Sequence, residues 1–440
     1  MPHSALAGPA NIQPISTIPE KSTGYLFGGY VKHLPLLIIS CAVVFHCAIP
    51  QGALGQGSIS SNDQFSARVA GKRNGFRVKH TFTGGDGGLP TAVLIQDSAG
   101  NLYGTTSSGG DSGLGVVFKL DTGNTETVLH SFTGSDGAVP HGGLVRDSAG
   151  NLYGTTSSGG ASGLGTVFKI DTSGRETVLH SFTGSPDGAQ PYAGLVMDNA
   201  GNLYGTTQNG GASGFGTVFK VDNTGTESVL HSFAGGSSDG ADPTARVILD
   251  ANGNLYGTTF MGGSSGRGTV FELDTTNTET VLYNFTGGAD GANPFGGLTR
   301  DQNGTLYGTA EIGGSKSSRS SSHVGNLGCC RGVVFSLSGT SENVLYSFTG
   351  GHDGGIPAAD LLLHNGALYG TTLSGGPGNR GTVFSVIVAT GEETVLHGFT
   401  GGKDGGGPHA GLLINATGVL YGTAEKGGRF RQGTVFQLKK

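Results

Sequence analysis

The sequence predicts an all-β protein, a seven-bladed β-propeller built from four-stranded blades. Three observations predict this fold. One unit of about 50 residues occurs seven times, each unit contains four short strand-like runs, and the repeat region begins and ends within the unit rather than at its boundary.

The repeat is defined by three strings of residues. The string Leu-Tyr-Gly-Thr recurs at spacings of 50, 51, 52, 51, 62 and 52, with its tyrosine at Tyr103, Tyr153, Tyr204, Tyr256, Tyr307, Tyr369 and Tyr421. The string Gly-Thr/Val-Val-Phe places its phenylalanine at Phe118, Phe168, Phe219, Phe271, Phe335, Phe384 and Phe436. A third string, usually VLHSFTGG, places one at Phe82, Phe132, Phe182, Phe233, Phe285, Phe348 and Phe399.

Each unit has the composition of four strands joined by tight turns. The runs are rich in Val, Thr, Tyr, Phe and Leu, each closes on Gly, Asn, Asp or Ser, and no window is long enough for a helix. Apolar residues fall on both strand faces, as in Leu144-Val145 and Val167-Phe168. Propeller blades are packed on both faces by their neighbours, whereas a two-sheet sandwich would alternate more cleanly.

The order of the strands predicts how the ring closes. The repeat region opens with residues 77–82, a copy of the fourth strand, and ends with residues 434–438, a copy of the third. Pairing these segments completes the last blade and removes two exposed sheet edges. We therefore expect the strand at about residues 76–82 to pair with the last strand, with Val78 and Phe82 buried.

Composition excludes several classes of protein. The 440 residues include 86 Gly and 15 Pro, yet 35% are hydrophobic, and 22 Phe and 12 Tyr supply enough apolar surface to fold. No Gly-X-Y period occurs, which excludes collagen. The net charge of −6 argues against a nucleic-acid partner, which requires a clustered basic surface. No ligand spacing indicates a metal site or a cofactor, and we expect a monomer.

The first 55 residues form a leader before the repeats. Residues 34–49 are a 16-residue apolar run behind Lys32, too short for a comfortable membrane span. With small residues at 53–55, the segment resembles a secretory signal cleaved after Gly55. An uncleaved anchor and a lipoprotein signal at Cys41 are the alternatives. Residues 56–75 are a polar linker, residues 76–440 are the propeller, and the protein is expected to be secreted or held at the cell surface or in the periplasm.

The repeat pattern resembles a known family. The pattern GxGTVFK…TVLHSFTGG.DG..P.AGL..D..GNLYGTT, present in seven copies over residues 76–440, is similar to the Gloeobacter/Verrucomicrobia tandem repeat. That family is found in exported bacterial proteins that use various anchors. The resemblance implies a secreted or surface location, and it implies no defined activity.

Residues repeated in every blade are predicted to be structural. The Asp-x-x-Gly-Asn turn before the Leu-Tyr-Gly string, as at Asp147–Asn151, is assigned to this group. So is the shared fourth-strand position, which is a histidine in five blades and Tyr283 and Tyr346 in the other two. The same holds for the aspartate of a recurring Asp-Gly pair, at Asp86, Asp136, Asp187, Asp239, Asp290, Asp353 and Asp404. These aspartates are expected near the channel mouth, where each binds its own turn. A ring that attracts Ca²⁺ is less favoured, because seven like charges seldom converge on one ion.

Variable positions on a fixed scaffold are better candidates for a site. The residue after each loop proline, predicted to open the innermost strand at the channel rim, runs Thr91, His141, Tyr192, Thr244, Phe295, Ala358 and His409. Its neighbours scarcely vary, so packing is not expected to dictate it. The mixture suits a pocket with aromatic walls and a few polar groups. An unconstrained rim is the alternative. The predicted ligand-binding residues are His141, Tyr192, Thr244, Phe295, His409, Asp136 and Asp404.

The spacing of 62 marks an insertion between Gly314 and Gly332. It carries Cys329 and Cys330, which could form a vicinal disulfide or a soft-metal site with His323, although neither signal is specific. Tolerated insertion is the favoured interpretation, since loops that break a repeat are where length changes are accommodated.

These observations favour an exported, non-catalytic binding module that presents one loop-rich face to a polymer, glycan or protein. The chain shows no unique acid–base or metal constellation, so an enzyme is less favoured. Two alternatives remain: a lyase or hydrolase with His141 and His409 as bases on the channel rim, and a purely structural surface protein.

Overall fold

A computed structural model describes residues 75–314 and 331–439. Every regular element in these residues is a β-strand. No helix long and apolar enough to cross a membrane is present in these residues. The predicted leader, the signal segment and the linker through residue 74 lie outside the described residues.

The strands form seven four-stranded antiparallel sheets arranged as the blades of a closed ring, which confirms the predicted fold. The innermost strands are two or three residues long: β2 (Ile95–Gln96), β6 (Val145–Arg146), β10 (Val196–Met197), β15 (Ile248–Leu249), β20 (Thr299–Arg300), β24 (Leu362–His364) and β28 (Leu413–Ile414). The second strands carry the Leu-Tyr-Gly string: β3 (Leu102–Thr106), β7 (Leu152–Thr156), β11 (Leu203–Thr207), β16 (Leu255–Thr259), β21 (Leu306–Ala310), β25 (Ala367–Thr372) and β29 (Val419–Ala424).

The outer half of each blade is built in the same way. The third strands are β4 (Val116–Leu120), β8 (Thr166–Ile170), β12 (Thr217–Val221), β18 (Thr269–Leu273), β22 (Val333–Ser338), β26 (Thr382–Ile387) and β30 (Thr434–Lys439). The outermost strands are β5 (Glu126–Ser131), β9 (Glu176–Ser181), β13 (Glu227–Ser232), β19 (Glu279–Asn284), β23 (Ser341–Ser347), β27 (Glu393–Gly398) and β1 (Gly75–Thr81). Two further short strands, β14 (Gly240–Ala241) and β17 (Met261–Gly262), pair with each other. We number the blades 1–7 in the order of their innermost strands.

The Asp-x-x-Gly-Asn-Leu-Tyr segment is a self-contained turn. In blade 2, the Asp147 carboxylate accepts hydrogen bonds from the backbone N–H of Asn151 at 2.8 Å, its side-chain amide at 2.7 Å and the Tyr153 hydroxyl at 3.0 Å. Gly150 takes the left-handed conformation at φ 97°. The repeated aspartate and tyrosine therefore serve the turn, as predicted.

The glycine of the Leu-Tyr-Gly string is required by core packing. A Cβ atom on Gly154 would lie 2.6 Å from Cζ of Phe168, a side chain with no exposed surface. Because the phenylalanine of the neighbouring strand occupies the space that a side chain would need, both residues recur in every blade.

Adjacent blades are joined by a buried hydrogen bond that is repeated around the ring. The threonine directly after each Leu-Tyr-Gly string donates to a backbone carbonyl of the next blade, as Thr155 does to Ala193 at 2.7 Å. The last bond of the series runs from Thr423 to the carbonyl of Ala92 at 3.3 Å, across 331 positions of sequence. The ring is thus closed by the same contact that joins its other blades.

The N-terminal strand completes blade 7, as the strand order predicted. Strand β1 pairs antiparallel with β30, placing Phe76 opposite Leu438 and Thr81 opposite Thr434. Phe82 is fully buried, but Val78 is 36% exposed, so the prediction that Val78 is buried is wrong. A register shift between Val78 and His80 accompanies this arrangement, and Phe76 packs into the core instead.

Candidate functional site

Two sets of loops emerge on one end of the ring, which we call the mouth face. In blade 1 they are residues 82–94, which lead from the preceding outer strand into the innermost strand, and residues 107–115, which join the second and third strands. A backbone bridge connects the two loops in each blade, as between Ala138 and Ser158 in blade 2. The prediction that both loops share one face is confirmed.

The seven residues that follow the loop prolines meet around the channel. Together they line a cavity of about 110 Å³. They do not open the innermost strands, as the sequence suggested, because these strands start four residues later, with Ile95 following Thr91. The backbone is thus still irregular where these side chains enter the channel. Thr244 is buried there and donates a hydrogen bond to the carbonyl of Phe295 at 3.3 Å.

The aromatic members of this set pack against one another across the channel. The rings of His141 and Tyr192 are stacked with 4.2 Å between centroids. Phe295 meets Tyr192 edge-on at 5.7 Å and His409 edge-on at 5.2 Å. The expectation that packing does not constrain this position is wrong, since four of its seven residues form one aromatic cluster at the channel mouth.

Burial in the channel changes the protonation of these groups. It lowers the pKa of His141 to about 3, with a smaller contribution from His409. It also lowers the pKa of His409 to about 4, and the charge of Lys426 acts in the same direction. The pKa of Tyr192 is raised by burial and then by the charges of Glu425 and Glu311. Both imidazoles are therefore neutral at physiological pH.

Glu311 and Glu425, whose charges act on Tyr192, occupy a variable position that the sequence reasoning missed. The residue directly after each second strand also varies: Ser107, Ser157, Gln208, Phe260, Glu311, Leu373 and Glu425. Burial raises the pKa of Glu311 to about 7, and it also raises the pKa of Glu425, against the opposing charge of Lys426. Comparison of the seven copies column by column would have found this position, because it varies between a constant Leu-Tyr-Gly-Thr string and a constant Gly-Gly pair.

A single ion pair joins two non-adjacent blades in the channel. Nε of Arg246, in the loop that leads into blade 4, lies 2.7 Å from a carboxylate oxygen of Asp360, which leads into blade 6. The other oxygen of Asp360 accepts the N–H of Gly297, in the loop between them, at 2.6 Å. Both ionic side chains line the cavity and break the symmetry of the ring.

Asp136 and Asp404 lie away from the cavity, beside the outermost strands. Asp136 accepts hydrogen bonds from the N–H and hydroxyl of Thr133 and pairs with His130 at 2.9 Å. Asp404 does the same with Thr400 and lies 3.5 Å from His397. The expectation that these carboxylates sit at the channel mouth is wrong, because the turn bends them toward the outer strand. Their binding to their own turns is confirmed.

The aspartate and the outer-strand residue form a pair in every blade. The contacts range from 2.9 to 3.5 Å, and the pairs are His80–Asp86, His130–Asp136, His180–Asp187, His231–Asp239, Tyr283–Asp290, Tyr346–Asp353 and His397–Asp404. Burial opposes ionisation of Asp136, but its hydrogen bonds outweigh this effect and lower its pKa. The pairing explains why this strand position holds histidine in five blades and tyrosine in two, since both side chains can donate a hydrogen bond to the carboxylate.

A glutamate from the next blade approaches many of these pairs. Its carboxyl carries a buried oxygen without a hydrogen-bond partner at Glu126, Glu176, Glu227, Glu279 and Glu342. In three places the donor atoms of histidine, aspartate and glutamate lie within 4.8 Å of one another, close enough to hold a metal ion. These groups are spread around the rim, so the aspartates do not converge on one central ion.

The insertion between Gly314 and Arg331 lies outside the described residues. The predictions for Cys329, Cys330 and His323 therefore stay predictions.

The seven four-stranded sheets form a closed ring, and the last blade is completed by the N-terminal strand. This architecture is a seven-bladed β-propeller. The family model of the Gloeobacter/Verrucomicrobia repeat matches residues 51–248, 177–327 and 320–440, and the chain belongs to this family. No curated protein matches the sequence.

Solved structures resemble the propeller at low sequence identity. A streptogramin B lyase superposes with a TM-score of 0.52 at 12% identity, covering 83% of this chain and 97% of the lyase chain. The selenomethionine-substituted virginiamycin B lyase from Staphylococcus aureus gives 0.51 at 13% identity, covering 83% and 99%. At such identities the likeness shows the fold alone.

Proposed function

We propose that the protein is an exported, non-catalytic binding module that engages a glycan or another extracellular polymer on its mouth face. One observation carries the proposal: seven nearly identical blades bring five different residue types around a single cavity at one equivalent position. Residues repeated in all blades are engaged in turns, core contacts and inter-blade bonds. The variable set at the mouth is therefore the part of the molecule most suited to recognising a ligand.

The geometry favours binding over catalysis. Within residues 75–314 and 331–439, neither His141 nor His409 contacts a carboxylate at hydrogen-bond distance, and Asp136 and Asp404 lie beside the outer strands. A general base is usually oriented by such a partner. The cavity of about 110 Å³ is also smaller than pockets that enclose a small-molecule substrate. A ligand is therefore expected to lie across the mouth rather than inside it.

Catalysis is the second candidate, and one observation favours it. Neutral His141 and His409 share one concave site with Tyr192, whose pKa is raised by burial and in part by Glu311, a glutamate with a pKa of about 7. Clusters of groups with shifted pKa values are common in active sites. The structural neighbours include streptogramin B lyases. Under this alternative the protein would turn over a substrate, and His141→Ala together with His409→Ala would abolish turnover.

Binding to a panel of soluble glycans and cell-wall fractions tests the proposal. The double variant Tyr192→Ala/Phe295→Ala should weaken binding at least tenfold, because it removes the aromatic surface at the mouth. The matched control is Ile387→Ala, which removes an apolar side chain that is 40% exposed at the opposite end of blade 6. Equal binding by both variants and the unmodified protein would favour a purely structural role.

A further inference from the structure

One loop position has the same backbone environment in all seven blades. It precedes the glycine that leads into the third strand, and its carbonyl accepts the N–H of the residue before the loop proline of the next blade, at 2.8–3.2 Å. We call this set the loop ring: Leu114, Leu164, Phe215, Arg267, Arg331, Arg380 and Gln432. Because the backbone is fixed, only the side chain differs from blade to blade.

The side chains of the loop ring are segregated by type. Blades 1–3 carry apolar residues there, of which Phe215 is 43% exposed. Blades 4–6 carry three consecutive arginines, and Arg267 and Arg380 are exposed. Since the backbone hydrogen bond is the same around the ring, the fold accepts either an apolar side chain or arginine at this position.

The other cations of the mouth face lie on the same side. The mouth loops of blades 1–3 contain no lysine or arginine, whereas those of blades 4–7 contain Arg246, Arg267, Arg331, Arg380, Lys403, Lys426, Arg429 and Arg431. Blades 1–3 do carry cations elsewhere: Lys119, Lys169 and Lys220 lie over tyrosine rings near the opposite end of the second strands. The asymmetry therefore belongs to the mouth face.

Some of these cations have no acidic partner among the described residues. Ion pairs are made by Arg246 with Asp360 and by Lys426 with Glu425 at 3.7 Å. Arg267 and Arg380 make none, and Arg429 lies over the ring of Phe430 at 5.3 Å. The same loops also contain carboxylates, but Asp290, Asp353 and Asp404 accept hydrogen bonds from N–H groups of their own turns. The exposed guanidinium groups of Arg267 and Arg380 are therefore available to an external anion.

We propose that the described residues of the mouth loops of blades 4–7, which we call the cationic arc, bind an acidic polysaccharide through its carboxylates. This inference rests on the proposed binding function and adds its ligand class. Arginine presents a planar fork of donors that matches a carboxylate. Cations on four consecutive blades suit an extended chain with many charges, since a small anion would reach only one or two of them. Phe430, 48% exposed, adds an apolar surface for a sugar face.

Nucleic acid is the competing polyanion, and the surface fits it less well. Single-stranded nucleic acid is bound by aromatic side chains interleaved with cations along the strand. Within the described residues of the cationic arc, Phe430 is the one exposed large aromatic side chain. The neighbouring mouth loops consist largely of glycine and serine.

The inference is tested by titrating the full chain with polygalacturonate, with uncharged dextran and single-stranded DNA as comparison ligands. The triple variant Arg267→Gln/Arg380→Gln/Arg429→Gln should weaken polygalacturonate binding at least tenfold. The control Lys119→Gln/Lys169→Gln/Lys220→Gln removes the same charge from the other end and should stay within twofold of the unmodified protein. Replacing the three arginines with lysine should restore part of the affinity, and the affinity should fall as salt rises.

The outcomes separate this inference from the proposed function. An equal loss of polygalacturonate affinity in both triple variants, or no loss in either, overturns the proposal that the cationic arc binds the polysaccharide. Binding of an uncharged glycan that depends on Tyr192 and Phe295, without binding of polygalacturonate, overturns the arc and leaves the proposed function intact. Tighter binding of single-stranded DNA than of polygalacturonate overturns the assignment to polysaccharide. Melting curves of each variant identify any loss of folding.

Discussion

The ring of Phe76 stacks on the imidazole of His397, with 3.7 Å between their centroids and 8° between their planes. Phe76 belongs to the first described strand and His397 to the outermost strand of blade 6. The same phenylalanine lies opposite Leu438 in blade 7. One side chain near the start of the propeller thus holds together its last two blades.

Removing strand β1 should open the ring. A chain that starts at residue 83 loses the ladder with β30, the partial burial of Phe76 and the full burial of Phe82, which alone contributes about 1.5–3 kcal/mol. Against a total stability of about 5–15 kcal/mol, the melting temperature should fall sharply and the exposed edge should cause self-association. A chain that starts at residue 75 is the control. Indistinguishable melting and sedimentation of the two chains would contradict the closure.

Stability should decrease as the pH rises from 5.5 to 8. The pKa of Glu227 is raised to about 7 by burial and then by Asp187, and that of Glu342 is raised to about 7 by burial and then by Asp290. A glutamate whose folded pKa exceeds its ordinary value of 4.5 contributes full stability below 4.5. That contribution is lost as the pH rises through 7. Thermal melting at the two pH values measures the effect.

Three histidines, His141, His409 and His397, act in the opposite direction, since burial lowers the pKa of each. Because the pKa values of His141 and His409 are lowered to about 3 and about 4, their contribution is lost as the pH falls below 6.5. The glutamates with a pKa of about 7 outnumber them: Glu126, Glu176, Glu227, Glu279, Glu311 and Glu342. The double variant Glu227→Gln/Glu342→Gln should therefore show a smaller pH effect, and an unchanged effect would refute this explanation.

The Arg246–Asp360 pair should couple blades 4 and 6. Asp360→Ala removes the acceptor for the N–H of Gly297 and the partner of Arg246, which should lower the free energy of unfolding by about 1–3 kcal/mol. Asp360→Asn keeps an acceptor and should cost less. A double-mutant cycle with Arg246→Ala, followed by chemical denaturation, measures the coupling. Strictly additive losses would mean that the two side chains do not interact.

Export has a direct test at the N-terminus. If residues 34–49 act as a cleaved secretory signal, the exported protein should begin near Gln56, which N-terminal sequencing reads directly. Cleavage before Cys41 with a lipid on that cysteine would instead identify the lipoprotein alternative. A mature protein that retains residues 1–33 would contradict cleavage.

The sequence was sufficient to predict the fold because the same four-strand unit occurs seven times, once for each blade. The repeat region begins with a copy of the fourth strand at residues 77–82 and ends with a copy of the third strand at residues 434–438. This order alone predicted that the two segments pair and close the ring. The exposed side of Val78 was not predictable, since it depends on the register shift between Val78 and His80. The repeated sequence shows that a strand is present, but it does not show where the hydrogen-bonding register of that strand shifts.

The site was predicted only in part. Variation at one column identified His141, Tyr192, Phe295 and His409, which the structure brings together. Their mutual stacking could not be foreseen, because it depends on the diameter of the channel. Asp136 was misplaced because its turn directs the carboxylate outward to His130. The His130–Asp136 contact joins residues six positions apart. In the sequence, its only trace is that both positions are repeated from blade to blade.

Hydrogen exchange with and without bound polygalacturonate tests the central claim that the mouth face is the binding surface. We predict that protection is confined to the mouth loops, strongest in blades 4–7, with none in the opposite turns such as residues 97–100 and 121–125. Protection of those opposite turns, or of all seven blades equally, would contradict the account.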